Sequence, residues 1–206
     1  MKNIEMIQLD RLKPFENHPY KVVENEEMNN LTQSINENGI LSPIIVRPIE
    51  NGEYEIISGH RRLFAGKQAG LTKIPAMVCE MDRDTAAVTL VDSNLHRENI
   101  LPSEKAYAYK LKAEALSHQG KRTDLTSGQF VPKSDDNRTS AEIGEPYGES
   151  YKTVQRYIRL TNLHPKLLEY VDEGRIAFTP AVELSYLNDI EQQDLIEIIE
   201  SEDCTP

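Results

Sequence analysis

The chain has 206 residues, of which 38% are hydrophobic and 28% charged, and its net charge is −11. That mixture excludes a disordered polymer and leaves room for one or two domains with a real core. No apolar run nears the roughly 18 residues of a membrane helix, and the start at Met1 lacks a signal peptide's apolar stretch, so no membrane partner and a cytoplasmic location are expected.

The first half alternates strand-like and helix-like segments. Ile4–Leu9 is short and apolar-rich. Met28, Leu31 and Ile35 share one helix face, and Gly39 suits the left-handed cap that ends such a helix. Ile44-Ile-Val-Arg-Pro reads as a buried strand, Asn51-Gly52 as a turn and Tyr54-Glu-Ile-Ile as the returning strand. Leu63, Phe64 and Ala65 lie in a helix capped by Gly70, and Ile74–Cys79 is another strand. The second half reads as wholly helical. Asp82 caps a helix with Ala87, Leu90, Val91 and Leu95 on one face, and Pro102-Ser-Glu opens another that runs to about His118. Residues 119–138 are polar, with Pro132 inside, and are expected to be a mobile loop. Further helices are expected near 140–147, 150–161, 165–173, 179–187 and 189–200. The tail, Ser201-Glu-Asp-Cys-Thr-Pro, closes no element and reads as the end of a fragment. Cys79 and Cys204 sit in unlike contexts, which points to a reducing compartment without disulfides or zinc.

Charge is unevenly spread. Residues 165–206 hold eleven acidic and two basic side chains, whereas residues 121–162 hold seven basic and six acidic ones. Fields are screened over about 8 Å in physiological salt, so the total does not exclude nucleic acid.

Within 139–162 lies a helix-turn-helix pattern. Thr139-Ser-Ala-Glu142 fits a capping box with Thr139 as N-cap. Gly144 is small where two helices approach, Gly148 suits a positive φ and Ser150 can cap the second helix. Ile143, Tyr147, Val154 and Tyr157 are expected to pack the pair, and Pro146 to shorten or bend its first helix. The candidate DNA-contacting residues are Thr139, Ser150, Tyr151, Lys152, Thr153, Gln155, Arg156 and Arg159, which can donate to phosphates and base edges. On the pattern alone, an ordinary helical hairpin with a solvated face stays open.

Ser58-Gly-His-Arg-Arg62 falls between a strand and a helix. A glycine, helix-terminal amides and two guanidinium groups describe a phosphate cradle, although paired arginines also serve structural salt bridges. Asn94 and Glu98 could hold a metal ion or a ribose and Arg97 a phosphate, but on residues alone a capping or bridging role is favoured. His18, His96, His118 and His164 show no metal-ligand spacing, His60 reads as a local hydrogen-bonder, and Tyr107 and Tyr109 as packing residues.

The order of these segments, from about residue 4 to 187, resembles the ParB/Noc family of DNA-partition proteins. The likeness rests on Asn38-Gly-Ile-Leu-Ser-Pro-Ile-Ile-Val-Arg-Pro48, Gly59-His-Arg-Arg-Leu-Phe-Ala65, Asn94-Leu-His-Arg-Glu-Asn-Ile-Leu-Pro102 and the helix-turn-helix in its expected place. The long loop before that motif resembles plasmid and mobile-element variants. The resemblance implies an α+β chain: a small mixed α/β domain over 1–100, also similar to sulfiredoxin, then an all-helical DNA-binding domain over 101–206. It implies CTP with Mg2+, a homodimeric clamp on a palindromic double-stranded DNA site, a ParA-type ATPase partner and a role at the nucleoid or a plasmid. By motif, Gly59, Arg61 and Arg62 would meet the triphosphate, His60 would belong to the same nucleotide site, and Gly39, Ile40, Ser42 and Pro43 would line the base side. Asn94 would sit near the metal, with Arg97 and Glu98 in the same pocket.

Three positions depart from the family. His60 replaces a glutamate, Ser93 stands where a glutamate is usual, and Ser42 where a glutamine is common. Hydrolysis is therefore expected to be weak or absent, and base selectivity is open. The family's C-terminal dimerisation domain is not visible. Two alternatives remain: a nucleotide-dependent small-molecule kinase on the same scaffold, and a simple DNA-binding regulator. Sulfiredoxin chemistry is excluded because positions 59–62 contain no cysteine.

Overall fold

The computed structural model of the chain describes residues 3–22, 24–97, 99–127 and 136–202. The backbone divides into two compact units, Met1–Ser93 and Asn94–Pro206.

The first unit is built on five short strands: β1 (Asn3–Gln8), β2 (Leu12–Pro14), β3 (Ile44–Pro48), β4 (Tyr54–Ser58) and β5 (Lys73–Val78). They form one mixed sheet in the order β1-β5-β3-β4-β2. Central β3 buries Ile44 and Val46 completely and pairs antiparallel with β4 and parallel with β5. Asn51 and Gly52 turn the β3–β4 hairpin, both with positive φ. Arg47 and Glu55 face each other across it in register, and their ion pair spans 2.6 Å. Opposite charges placed across a strand pair support that register.

A parallel β3–β5 pair needs a crossover, which β4 and the helix α2 (His60–Gln68) supply. The longer α1 (Glu26–Asn38) is capped by the Asn25 side chain, which accepts from the Met28 amide, and Gly39 ends it at φ +70°. Met28 and Ile35 of α1 pack with Ala65 of α2. Leu63 of α2 joins the sheet cluster of Ile7, Leu12, Ile44, Val46, Ile56, Ile74 and Ala76. The helix α3 (Arg83–Asn94) starts at Asp82, whose carboxylate accepts from the Thr85 amide at 2.8 Å.

The second unit carries α4 (Pro102–Ser127), α5 (Asp136–Gly144), α6 (Tyr151–Leu160), α7 (Pro165–Asp172), α8 (Phe178–Leu184) and α9 (Asp189–Glu202). Its core gathers Leu160, Leu163, Leu167, Val171, Ile176, Val182, Ile196 and Ile199. Asp172 of α7 takes both the amide and the hydroxyl of Ser103, which satisfies donors in the first turn of α4. The α+β architecture expected from the sequence is present, with a mixed α/β unit ahead of a helical one. Among the described residues no helix is long and apolar enough to cross a membrane.

Two expectations fail in the α4–α5 region. Residues 119–127, expected in a loop, continue α4, and α5 begins at Asp136. The polarity that suggested a loop suits a solvated helix equally well, and residues 119–127 contain one glycine and no proline. The rest of the expected loop, 128–135, lies outside the described residues. Thr139 is consequently inside α5, and its N-cap role is overturned. Asp136, Asn137 and Arg138 precede it within the helix.

Candidate functional site

In the second unit α5, a 3-10 turn over Glu145–Tyr147 and α6 compose a helix-turn-helix. Pro146 falls at the start of the 3-10 turn, where its missing amide costs no helical bond, and α5 has ended at Gly144. A Cβ at Gly144 would lie 2.4 Å from the Glu149 carbonyl oxygen and 3.0 Å from Val154 Cγ2. The two helices therefore meet at a point with room for no side chain. The Glu149 amide returns to the Gly144 carbonyl at 3.0 Å, and Gly148 turns the chain at φ +69°. Ser150 caps α6, its hydroxyl accepting from the Thr153 amide at 3.2 Å. Ser150→Ala is expected to cost about 1 kcal/mol, read as a lower urea midpoint at unchanged slope.

Ile143 and Val154 are fully buried, as packing residues should be. Tyr157 turns instead to Tyr109 of α4 and Phe178 of α8, and Tyr147 to His96 and Lys112. Tyr109 is fully buried, whereas Tyr107 is exposed. Tyr151 and Lys152 stand exposed on the first turn of α6, and Thr153 and Gln155 are half-buried behind them. Thr139 and Gln155 line, with Lys110, Ser140 and Arg159, a cleft of about 390 Å³. The arginines of α6 lie against the region of α8. Arg156 donates to the Thr179 hydroxyl at 3.0 Å and covers Phe178. Arg159 donates to Ser185 and stacks 3.9 Å from the Tyr186 ring centroid.

One cluster carries no signal in the local sequence. The Glu149 carboxylate, just before the cap of α6, is held by the Lys105 ammonium and by the Tyr109 hydroxyl, which donates at 2.8 Å. Burial first, and then the bond to Glu149, pushes the Tyr109 phenol above its ordinary range, so it remains a donor at neutral pH. Lys105 and Tyr109 are one turn apart on α4 and more than 35 residues from Glu149.

In the first unit, the turn between β4 and α2 places Gly59 at φ +106°. A Cβ there would fall 2.6 Å from Ile44 Cγ2, so the backbone occupies space that no other residue could share. The first amides of α2 lack intrahelical acceptors and carry the positive end of the helix dipole, which suits an anion. Arg62 reaches back to the carbonyl oxygens of Ser42 at 2.6 Å and Pro43 at 2.7 Å. That tie brings Ser42 and Pro43 beside the Gly59–Arg62 turn, while Ile40 packs with Ala65 and Leu63 of α2. Burial lowers the Arg62 pKa from its usual value, yet a guanidinium remains charged. Arg61 is more accessible and pairs with Glu27 at 3.1 Å. The His60 ring lies 3.8 Å from that of His18, whose Nδ1 sits 2.7 Å from the Tyr20 carbonyl oxygen.

Asn94 ends α3 with its side chain buried; its backbone carbonyl accepts from the Arg97 amide at 3.1 Å, and Arg97 is exposed. Both fall in the second unit, and Glu98 lies outside the described residues. Among the described residues no group of three or more His, Cys, Asp and Glu side chains could hold a metal ion.

Comparison with known proteins covers both units. Residues 1–95 match the family model of the ParB N-terminal domain and residues 134–205 that of the ParB HTH domain. The chain is 31% identical over 180 residues to the probable chromosome 1-partitioning protein ParB of Deinococcus radiodurans, covering 86% of this chain and 54% of that protein. It is 33% identical over 169 residues to the chromosome-partitioning protein Spo0J of Thermus thermophilus, covering 82% of this chain and 54% of that protein. The chain thus spans about half the length of these relatives. Its fold is similar to that of the C-terminally truncated chromosome-partitioning protein ParB from Caulobacter crescentus complexed to the centromeric parS site. The TM-score is 0.53 at 23% identity, covering 98% of this chain and 94% of that one.

Proposed function

This chain belongs to the ParB family, and we propose that it is a sequence-specific DNA-binding protein of partition type, gated by a nucleotide bound in its first unit. The observation that carries the DNA-binding reading is the helix-turn-helix itself. A close glycine crossing and a capped α6 present Tyr151 and Lys152 at the end of the helix that such motifs insert into the major groove. Gln155 lies one turn further along, and a glutamine there can pair with an adenine edge. Arg156 and Arg159 carry charge beside α8, which suits phosphate contacts more than base reading. Thr139, Ser150 and Thr153 would contribute hydroxyls at the margin.

For the nucleotide, the Gly59 turn supplies the fit: a cradle too tight for a Cβ, helix-terminal amides and Arg61 at its rim. We assign the triphosphate of CTP to this turn, including His60, and the base to Gly39, Ile40, Ser42 and Pro43. Arg62 holds the Ser42–Pro43 backbone in place and so acts on the base side through position. The family resemblance adds Asn94 for Mg2+, and Arg97 and Glu98 for the same ligand. With no carboxylate cluster among the described residues, magnesium would rest chiefly on the phosphates and on water. Its chemistry there is charge neutralisation.

The homodimeric clamp on a palindromic site, a ParA-type ATPase partner and a nucleoid or plasmid location complete this reading. His60 and Ser93 replace carboxylates of the family pattern, so turnover of CTP is expected to be weak.

The test is calorimetric titration with CTP, ATP and GTP, with and without the DNA the protein selects. CTP binding is expected, and Arg61→Ala should weaken it about 10- to 100-fold, the loss of one charge-assisted bond. No nucleotide binding under either condition would remove the gate and leave a simple DNA-binding regulator.

A further inference from the structure

Glu149 is awkwardly placed for a DNA-binding protein. It immediately precedes the cap of α6, at the end of the helix that a helix-turn-helix brings to the polyanion. An uncompensated carboxylate there would repel phosphates. Its backbone is already fixed twice, by its amide donating to the Gly144 carbonyl and by its own carbonyl packed where a Gly144 side chain would be. Its carboxylate is fixed as well, with Lys105 on one oxygen and the Tyr109 hydroxyl on the other. The Lys105 ammonium also lies over the Tyr157 ring, 4.7 Å from its centroid, so it touches α6 itself. The side chains of Lys105 and Glu149 are only 20% and 19% exposed. A desolvated pair of this kind is a poor source of stability compared with apolar residues of the same size, because both charges lose water. Its value must be sought elsewhere.

We propose that Lys105, Tyr109 and Glu149 form a positioning device for DNA reading: they pin the start of the recognition helix to α4 and neutralise Glu149 against the DNA phosphates. These are positioning residues, since the groups that touch DNA are those of α6. The inference rests on the DNA-binding reading above and goes beyond it in assigning sequence preference partly to a cluster outside the α6 surface. Two separable effects follow. Removing the cation alone leaves a negative charge facing DNA. Removing both charges restores neutrality but leaves the helix start loosely held.

The experiment measures affinity for the selected DNA site and for a one-base variant of it, across a salt series, with melting curves in parallel. Lys105→Met should weaken binding about 10- to 100-fold and lower the salt slope by about one, as one fewer phosphate is effectively neutralised. Lys105→Met/Glu149→Gln should regain the wild-type salt slope, yet discriminate between the two sites about 3- to 10-fold less well. Tyr109→Phe should keep the salt slope and lose part of the discrimination. The double variant buries no charge, so it keeps the test decisive if the single variant folds poorly. Wild-type slope and wild-type discrimination in both the double variant and Tyr109→Phe would overturn the proposal. A wild-type chain that selects no DNA at all would overturn the DNA-binding reading together with it.

Discussion

Gly144→Ala should remove specific DNA binding while leaving the first unit intact. The alanine methyl would sit 2.4 Å from a backbone oxygen, that of Glu149, and 3.0 Å from Val154 Cγ2. Neither neighbour can easily yield. Glu149 is held at its amide by Gly144 and at its carboxylate from α4, and Val154 is fully buried. The methyl can be accommodated only by spreading α5 from α6. Overpacking of this kind costs about 1–3 kcal/mol, and contact with backbone puts the expected loss near the top of that range. The gain in helix propensity from Gly to Ala, about 1 kcal/mol in a helix interior, is smaller and applies weakly at a helix end. A shift of one ångström or so at the start of α6 would take Tyr151, Lys152 and Gln155 out of register with the bases. Urea unfolding and binding to the selected site, measured together, check this. Wild-type affinity in the variant would show that the two helices need not approach so closely.

Gly59→Ala should have the larger effect on stability and should abolish nucleotide binding. Two costs add. An L-residue at φ +106° is strained by about 1–3 kcal/mol. A methyl 2.6 Å from Ile44 Cγ2 overpacks the centre of the sheet, at about 1–3 kcal/mol more. Ile44 cannot swing aside, because it is fully buried in the strand that pairs with both β4 and β5. For a unit of this size about 4 kcal/mol corresponds to a fall in Tm of roughly 15–30 °C. Thermal unfolding followed by circular dichroism, with calorimetric titration of CTP below the transition, reads both effects. A variant with wild-type Tm would mean that the β4–α2 turn relaxes freely, and the cradle would then lose its rigidity as an argument.

These two glycines also mark what the sequence makes legible. Gly144, Gly148 and Ser150 announce the turn because each answers a local backbone demand, a close approach, a positive φ and an uncapped amide. Gly39, Asn51-Gly52 and Asp82 did the same in the first unit. Thr139 shows the limit of local reading. Its spacing to Glu142 matches a capping box, but the helix already includes Asp136, one turn earlier, so Thr139 stands inside it. The arginines of α6 show another. A helical wheel places Arg156 and Arg159 on the outer face, but it does not contain Phe178, Thr179, Ser185 or Tyr186, which lie more than 20 residues away and against which they pack. Glu149 was only a unit of charge in the sequence, one of six acids set against seven bases. Its role depends on Lys105 and Tyr109, which the fold alone brings to it.

Selection of DNA from a random duplex pool by this chain, with a Lys152→Ala/Gln155→Ala variant in parallel, tests the central claim directly. The wild-type chain is expected to enrich a palindromic site. The variant is expected to lose about 30-fold or more in affinity for that site, since two contacts worth about 1–3 kcal/mol each are removed. Enrichment of no sequence, or equal enrichment by the variant, would contradict that claim.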